Sequence, residues 1–217
     1  MKKQIKYNLK GSLQISGDKS ISHRSLILSS MALGEAKISN LLESEDTLST
    51  IKILKALSIQ IKKVKEDWIV IGNGTNGYIQ PSEALDCGNS GTTARLMLGA
   101  VSTNPIFCTF IGDKSLSKRP MTRVTNFLNT IGAETVLTNK DYFPMTINGV
   151  EDPLPLHHTI TKASAQIKTA LILAALNIMG RTSIIETRKT RDHTEILLKY
   201  LNVKFKIIKQ KDNATKL

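Results

Sequence analysis

Apolar residues fall along this chain in blocks whose order recurs. SISHRSLILSSMALG (20–34), NSGTTARLMLGAV (89–101) and SAQIKTALILAALNIMG (164–180) are strongly apolar runs, each opened by small or polar residues. A helix apolar nearly all round is a buried one, so the pattern predicts three buried helices. Each run breaks at Gly or Asn and yields a short β-type stretch: EAKISN, PIFCTFIG and RTSIIET. After a polar loop comes a segment with apolar residues at helical spacing and Lys, Arg, Asn or Thr on its other side: DTLSTIKILKAL, MTRVTNFLNTIG and DHTEILLKYL. These predict amphipathic helices that turn one face to water. IQIKKV, AETVLT and VKFKIIK read as closing strands, and DWIVIGNG and FPMTINGV as hairpin partners for the first two.

The turns after the second helices fall at Leu57-Ser58, Ile131-Gly132 and Leu201-Asn202, a spacing of roughly 70 residues. That period predicts an α/β (α+β) lobe of three βαβαββ-type repeats about buried helices, with pseudo-threefold symmetry. The third set stops at KQKDNATKL without a return strand, so the last repeat reads as truncated.

The chain of 217 residues, 41% of them hydrophobic, is long enough to bury a core. Its net charge of +12 invites a nucleic-acid reading. Only seven of the thirty cations are Arg, the Lys are scattered, and aromatics are 5%, too few for base stacking. No nucleic-acid partner is expected. Cys87 and Cys108 form no CxxC pair and read as reduced, buried thiols. No apolar stretch follows the basic start, and TALILAALNIMG (169–180) is too short for a bilayer. The expectation is a cytoplasmic protein with no membrane partner.

Candidate chemistry sits at the helix openings. In SGDKSISHR (16–24), Lys19 and Arg24 stand with Ser20 and Ser22 where the first buried helix begins. A helix N-terminus offers unpaired N–H groups and partial positive charge, so added cations make an anion seat. CGNSGTTAR (87–95) places Asn89, Gly91 and Thr92 at the second opening, where Gly91 lets a ligand approach backbone. ASAQIK (163–168) gives Ser164 as cap and Gln166 reaching outward. Taken singly, each is more often a plain N-cap. Three at matching places point to a small, multiply anionic ligand.

The loops behave alike. SLSKRPMTR (115–123) puts Arg119 before Pro120, which is placed to start the next helix. TRKTRDHTE (187–195) carries Arg191, with Asp192 and Glu195 spaced as a capping box. The matching first-repeat segment, ESEDT (43–47), is acidic. His157 and His158 read as a loop pair with a surface or interdomain role, not metal ligands. No P-loop, G-x-G-x-x-G, HExxH or zinc pattern occurs.

In GDKSISHR, GNSGTTARL, LSKRPM, SAQIKTALILA and TRDHTE, in that order, the chain resembles the EPSP synthase (3-phosphoshikimate 1-carboxyvinyltransferase) family. Enolpyruvyl transferases acting on UDP-N-acetylglucosamine use a loop Cys, and loop 112–120 here has none. The resemblance implies an inside-out α/β barrel lobe: the N-terminal one of two, about half the family's length. Residues 1–14 would hold a strand belonging with the second lobe, and 15–217 the N-terminal lobe itself.

The implied reaction is transfer of the enolpyruvyl group from phosphoenolpyruvate to the 5-hydroxyl of shikimate 3-phosphate, with release of phosphate and no metal or organic cofactor. By resemblance, Lys19, Ser20, Arg24, Ser164, Ala165, Gln166 and Arg191 bind shikimate 3-phosphate. Lys19, Asn89, Gly91, Thr92, Arg119 and Gln166 bind or shape the phosphoenolpyruvate pocket. The catalytic base is expected in the second lobe, so the chain is expected to need a separately supplied C-terminal half. The alternative is a non-catalytic small-anion binding module.

Overall fold

The computed structural model describes residues 10–209 and 215–216, and the described residues form six α-helices and three sheets. The first unit runs α1 (Lys19–Met31), β1 (Leu33–Ile38), α2 (Glu45–Ala56), β2 (Gln60–Val64) and β3 (Asp67–Asn73). The second runs β4 (Leu85–Asp86), α3 (Gly91–Val101), β5 (Phe107–Ile111), α4 (Thr122–Thr130), β6 (Glu134–Thr138) and β7 (Tyr142–Asn148). The third runs β8 (His157–Ile160), α5 (Ala165–Ala175), β9 (Ser183–Glu186), α6 (His193–Tyr200), β10 (Ile208–Lys209) and β11 (Thr215–Lys216).

The sheets share one plan. Their orders are β1-β3-β2, β4-β5-β7-β6 and β8-β9-β11-β10. In each, the return strand lies antiparallel between the middle and closing strands. In the second and third, a leading strand adds parallel to the middle strand. The three second helices also end alike. Ser58, Gly132 and Asn202 take left-handed φ of 67°, 106° and 57°. Ile59, Ala133 and Val203 donate their N–H back to Leu54, Leu128 and Leu198. This is the Schellman ending, and it aims each closing strand back along its helix.

The core is built of helices. α1, α3 and α5 bury Leu26, Ile27, Leu28, Leu96, Met97, Leu98, Leu171 and Leu173, while Phe110, Met145 and Ile147 pack inward from the second sheet. At Gly99 the backbone of α3 lies against that of α5 at Ala170, an approach that only the absence of a side chain permits. α2, α4 and α6 keep Lys52, Lys55, Arg123 and Lys199 exposed. No helix among the described residues is long and apolar enough to cross a membrane.

The structure departs from the sequence reading in three places. The third repeat does have a return strand, the two-residue β11. Nothing in the polarity of NATKL marks it; the free edge of β9 recruits it. VKFKIIK is strand only at Ile208–Lys209. β4 and β8 are too short for a periodic signal. His157 and His158 therefore lie in a strand: His157 Nδ1 bonds Ser183 Oγ at 2.7 Å, and His158 meets Phe127 edge-on at 5.3 Å. Of the expected strand within residues 1–14, positions 1–9 lie outside the described residues and positions 10–14 carry no regular structure.

Candidate functional site

The buried helices are capped alike. Asp18, Ser90 and Ser164 each accept from the N–H three residues on, at 2.9, 3.1 and 3.3 Å. The first two amides of each helix have no partner within it, which leaves each end positively polarised, and at α1 the Asp18 carboxylate also draws on the Ser20 amide. The Ile21 amide holds the Asp18 carboxyl below the usual range, with Arg191 and His193 assisting.

Side chains then tie these ends together. Lys19 Nζ meets Asp46 Oδ2 of α2 at 2.8 Å. The Asp46 carbonyl accepts from Thr93 Oγ1 of α3 at 3.1 Å. Gln166 of α5 donates from Nε2 to Thr92 Oγ1 of α3 at 3.0 Å and accepts at Oε1 from Arg95 Nη1 at 3.0 Å. Arg95 also donates to the Pro120 carbonyl, just ahead of α4. Arg119 Nη2 bonds Asn89 Oδ1 at 2.8 Å, and Asn89 Nδ2 bonds Asp113 Oδ2 at 2.6 Å. A methyl placed on Gly91 would lie 2.8 Å from Arg95 Nη1 and 3.2 Å from Arg119 Nη1, so both guanidinium tips crowd the opening of α3.

Arg24 closes the ring on the other side. It is buried, and its Nε, Nη1 and Nη2 donate to Thr194 Oγ1 (2.8 Å), the Ser20 carbonyl (2.9 Å) and Thr169 Oγ1 (2.6 Å). Three of its five N–H donors are spent in this way. Burial lowers its pKa, Glu195 opposes that, and the like charge of Arg191 adds to it. Ser20 and Ala165 sit part-buried in the first turns of α1 and α5, and Arg191 is exposed ahead of α6.

All eleven expected residues therefore stand at the N-terminal ends of the helices or in the loops beside them. Two local expectations fail. Asp192 makes no capping bond, and the Glu195 carboxylate, instead of reaching back to the Asp192 amide, lies against Lys168 Nζ at 2.6 Å. Pro120 does not begin α4; Thr122 does, and Asp141 from the β6–β7 turn caps it by accepting from the Met121 and Thr122 amides and the Thr122 hydroxyl.

Sequence reasoning also passed over Arg95, Asp46 and His23. Arg95 lies four residues after Gly91, hence above it on the same helix face, a signal the motif contained. His23 is fully buried, with Nδ1 2.7 Å from Thr50 Oγ1 and Nε2 without a partner. Burial pushes its pKa down to about 4, so it is neutral near pH 7 and carries no proton there. Among the described residues no group of acids, His and Cys is placed to hold a metal.

Helices buried inside sheets, with Lys and Arg side chains beside their N-termini at one end, define an α/β lobe. The chain belongs to the EPSP synthase family, whose model, EPSP synthase (3-phosphoshikimate 1-carboxyvinyltransferase), matches residues 3–216. It is similar to the 3-phosphoshikimate 1-carboxyvinyltransferase of Ruegeria sp. (strain TM1040), 49% identical over 88% of this chain and 42% of that protein. The protein of that name from Petrotoga mobilis is 45% identical over 95% of this chain and 48% of its own length. The solved EPSP synthase of Acinetobacter baumannii superposes with a TM-score of 0.87 at 34% identity, over 95% of this chain and 46% of the other. The chain thus spans about half the length of the relatives it matches.

Proposed function

We propose that this chain forms the N-terminal half of an enolpyruvyl transfer site, in which phosphoenolpyruvate reacts with the 5-hydroxyl of shikimate 3-phosphate. In this reading residues 15–217 are the lobe, and residues 1–14 supply a strand to a second lobe. The observation that carries it is the gathering of Lys19, Arg24, Arg119 and Gln166, from three different repeats, around the N-termini of α1, α3 and α5.

Shikimate 3-phosphate lies against Lys19, Ser20, Arg24, Ser164, Ala165, Gln166 and Arg191. Its phosphate takes the free first-turn amides of α5 together with the two unspent N–H groups of Arg24. Phosphoenolpyruvate lies over Gly91, between Arg119, Asn89, Thr92 and Gln166, with Lys19 between the two substrates. An incoming anion replaces Asp46 as the partner of Lys19. The chain's part in the chemistry is to fix two repelling anions in reactive geometry and to offset charge on the departing phosphate. The group that takes the hydroxyl proton belongs to the second lobe, so the isolated chain binds and does not turn over.

The test is calorimetric titration of shikimate 3-phosphate into the chain, and phosphate release with and without a separately made C-terminal half from a relative. Binding that weakens at least tenfold in Lys19→Ala, with turnover only after mixing, is the expected result. Absence of binding, or binding indifferent to Lys19, would refute this reading.

A further inference from the structure

Directly beneath Arg24 lies a buried charge cluster to which nothing above assigns a role. Lys168 of α5, 1% exposed, contacts Glu186 Oε2 of β9 at 2.9 Å and Glu195 Oε1 of α6 at 2.6 Å. Glu186 also accepts from the Thr190 hydroxyl, one residue before Arg191. Glu195 Oε2 is buried without a partner. The neighbours of these residues seat Arg24: Thr169 follows Lys168, Thr194 precedes Glu195, and both hydroxyls bond Arg24 and each other, the latter at 2.7 Å. Glu195 is close enough for its charge to act on the Arg24 guanidinium.

A buried ion cluster is poor evidence of stability, since apolar replacements often serve as well. Its location is more telling. A bare carboxylate at Glu195 would oppose any anion held by Arg24. We propose that Lys168 is a positioning residue that screens Glu195 and keeps the field at the Arg24 seat positive. The two Glu and Lys168 sum to one negative charge, against two without Lys168, so the lysine halves the negative charge that an anion on Arg24 would meet. The proposal rests on the reading that Arg24 belongs to the anion seat.

The test is calorimetric titration of shikimate 3-phosphate at low ionic strength, with stability measured in parallel. Glu195→Gln removes a negative charge and leaves Lys168 with Glu186. It should lower stability yet tighten binding by more than about tenfold, the scale of one unit charge about a nanometre away at an effective dielectric constant of about 20. Lys168→Met should weaken binding by a similar factor, and Lys168→Met with Glu195→Gln should return it to the wild-type value. A purely structural role predicts weaker binding in all three, so no gain in Glu195→Gln overturns the proposal. Should Lys168→Met fail to fold, Glu195→Gln alone decides. Lys19→Ala separates the two ideas: binding that depends on Lys19 but ignores Glu195→Gln sinks only the screen. Binding indifferent to Lys19 sinks the seat and the screen with it.

Discussion

Replacing Gly99 by Ala sets two well-understood effects against each other. Gly99 lies inside α3, where alanine is the better helix former by about 1 kcal/mol. By propensity alone the variant gains stability. The tertiary structure gives the opposite sign. The new methyl would lie 2.7 Å from both the Cα and the carbonyl carbon of Ala170, and nearer still to its oxygen. Carbon atoms pack at about 3.5–4.0 Å, so α3 and α5 must part by about 1 Å. The obstructing atoms are backbone in a fully buried helix, and no side chain can swing aside. Overpacking of this kind costs about 1–3 kcal/mol or more, and severe backbone overlap lies at the upper end. The net expectation is a loss of about 2 kcal/mol, a fall in Tm of about 4–8 °C for a chain of this size. Separation should also stretch the Gln166–Thr92 and Arg95–Gln166 bonds, now 3.0 Å each, and weaken shikimate 3-phosphate binding. Urea denaturation and a thermal melt measure the first effect, and calorimetry the second. A variant as stable as the parent, or more so, would show that α3 and α5 do not meet backbone to backbone.

Gly91→Ala has the opposite profile, because its methyl crowds the movable tips of Arg95 and Arg119 and meets Leu116 only at ordinary contact distance. Stability should change by less than about 0.5 kcal/mol, while phosphoenolpyruvate affinity on the chain saturated with shikimate 3-phosphate falls roughly tenfold as two charge-assisted bonds are displaced. For His23, burial lowers the folded pKa from 6.5 to about 4, so the unfolded state takes up the proton first and stability falls as pH drops below 6.5. This group alone should make the protein about 2 kcal/mol less stable at pH 5 than at pH 7.5, and His23→Asn should flatten that part of the urea-midpoint profile. Asp141 is desolvated, yet the amides of Thr122 and Met121 and the Thr122 hydroxyl hold its carboxyl below 3.8. Its contribution is therefore present above that pH and lost as pH falls through the lower folded value. Asp141→Ala should cost about 1–2 kcal/mol at pH 7, and less at pH 3, in denaturant titrations.

The amino-acid order by itself determined the features whose partners lie within a few residues. Ser90 and Ser164 cap three residues ahead, the three Schellman turns close over five, and the apolar runs bury wherever they are placed. These made the repeats, the buried helices and the anion-seeking openings legible, and the spacing of the motif residues carried the family. What remained hidden depends on pairs far apart in the chain. Arg24 and Thr194 are 170 residues apart, and Gln166 and Thr92 are 74 apart. No local pattern encodes such pairs, because packing at positions such as Gly99 sets the distances between the helices that carry them. The same reason explains why Glu195 looked like a cap and is an ion partner of Lys168, why Asp141 caps a helix it does not precede, and why two residues near the end of the chain complete a sheet. The hydrogen-bonding capacity of each side chain is written in the sequence; which of several partners within reach it takes is decided by tertiary packing, since only that fixes which groups share a buried space.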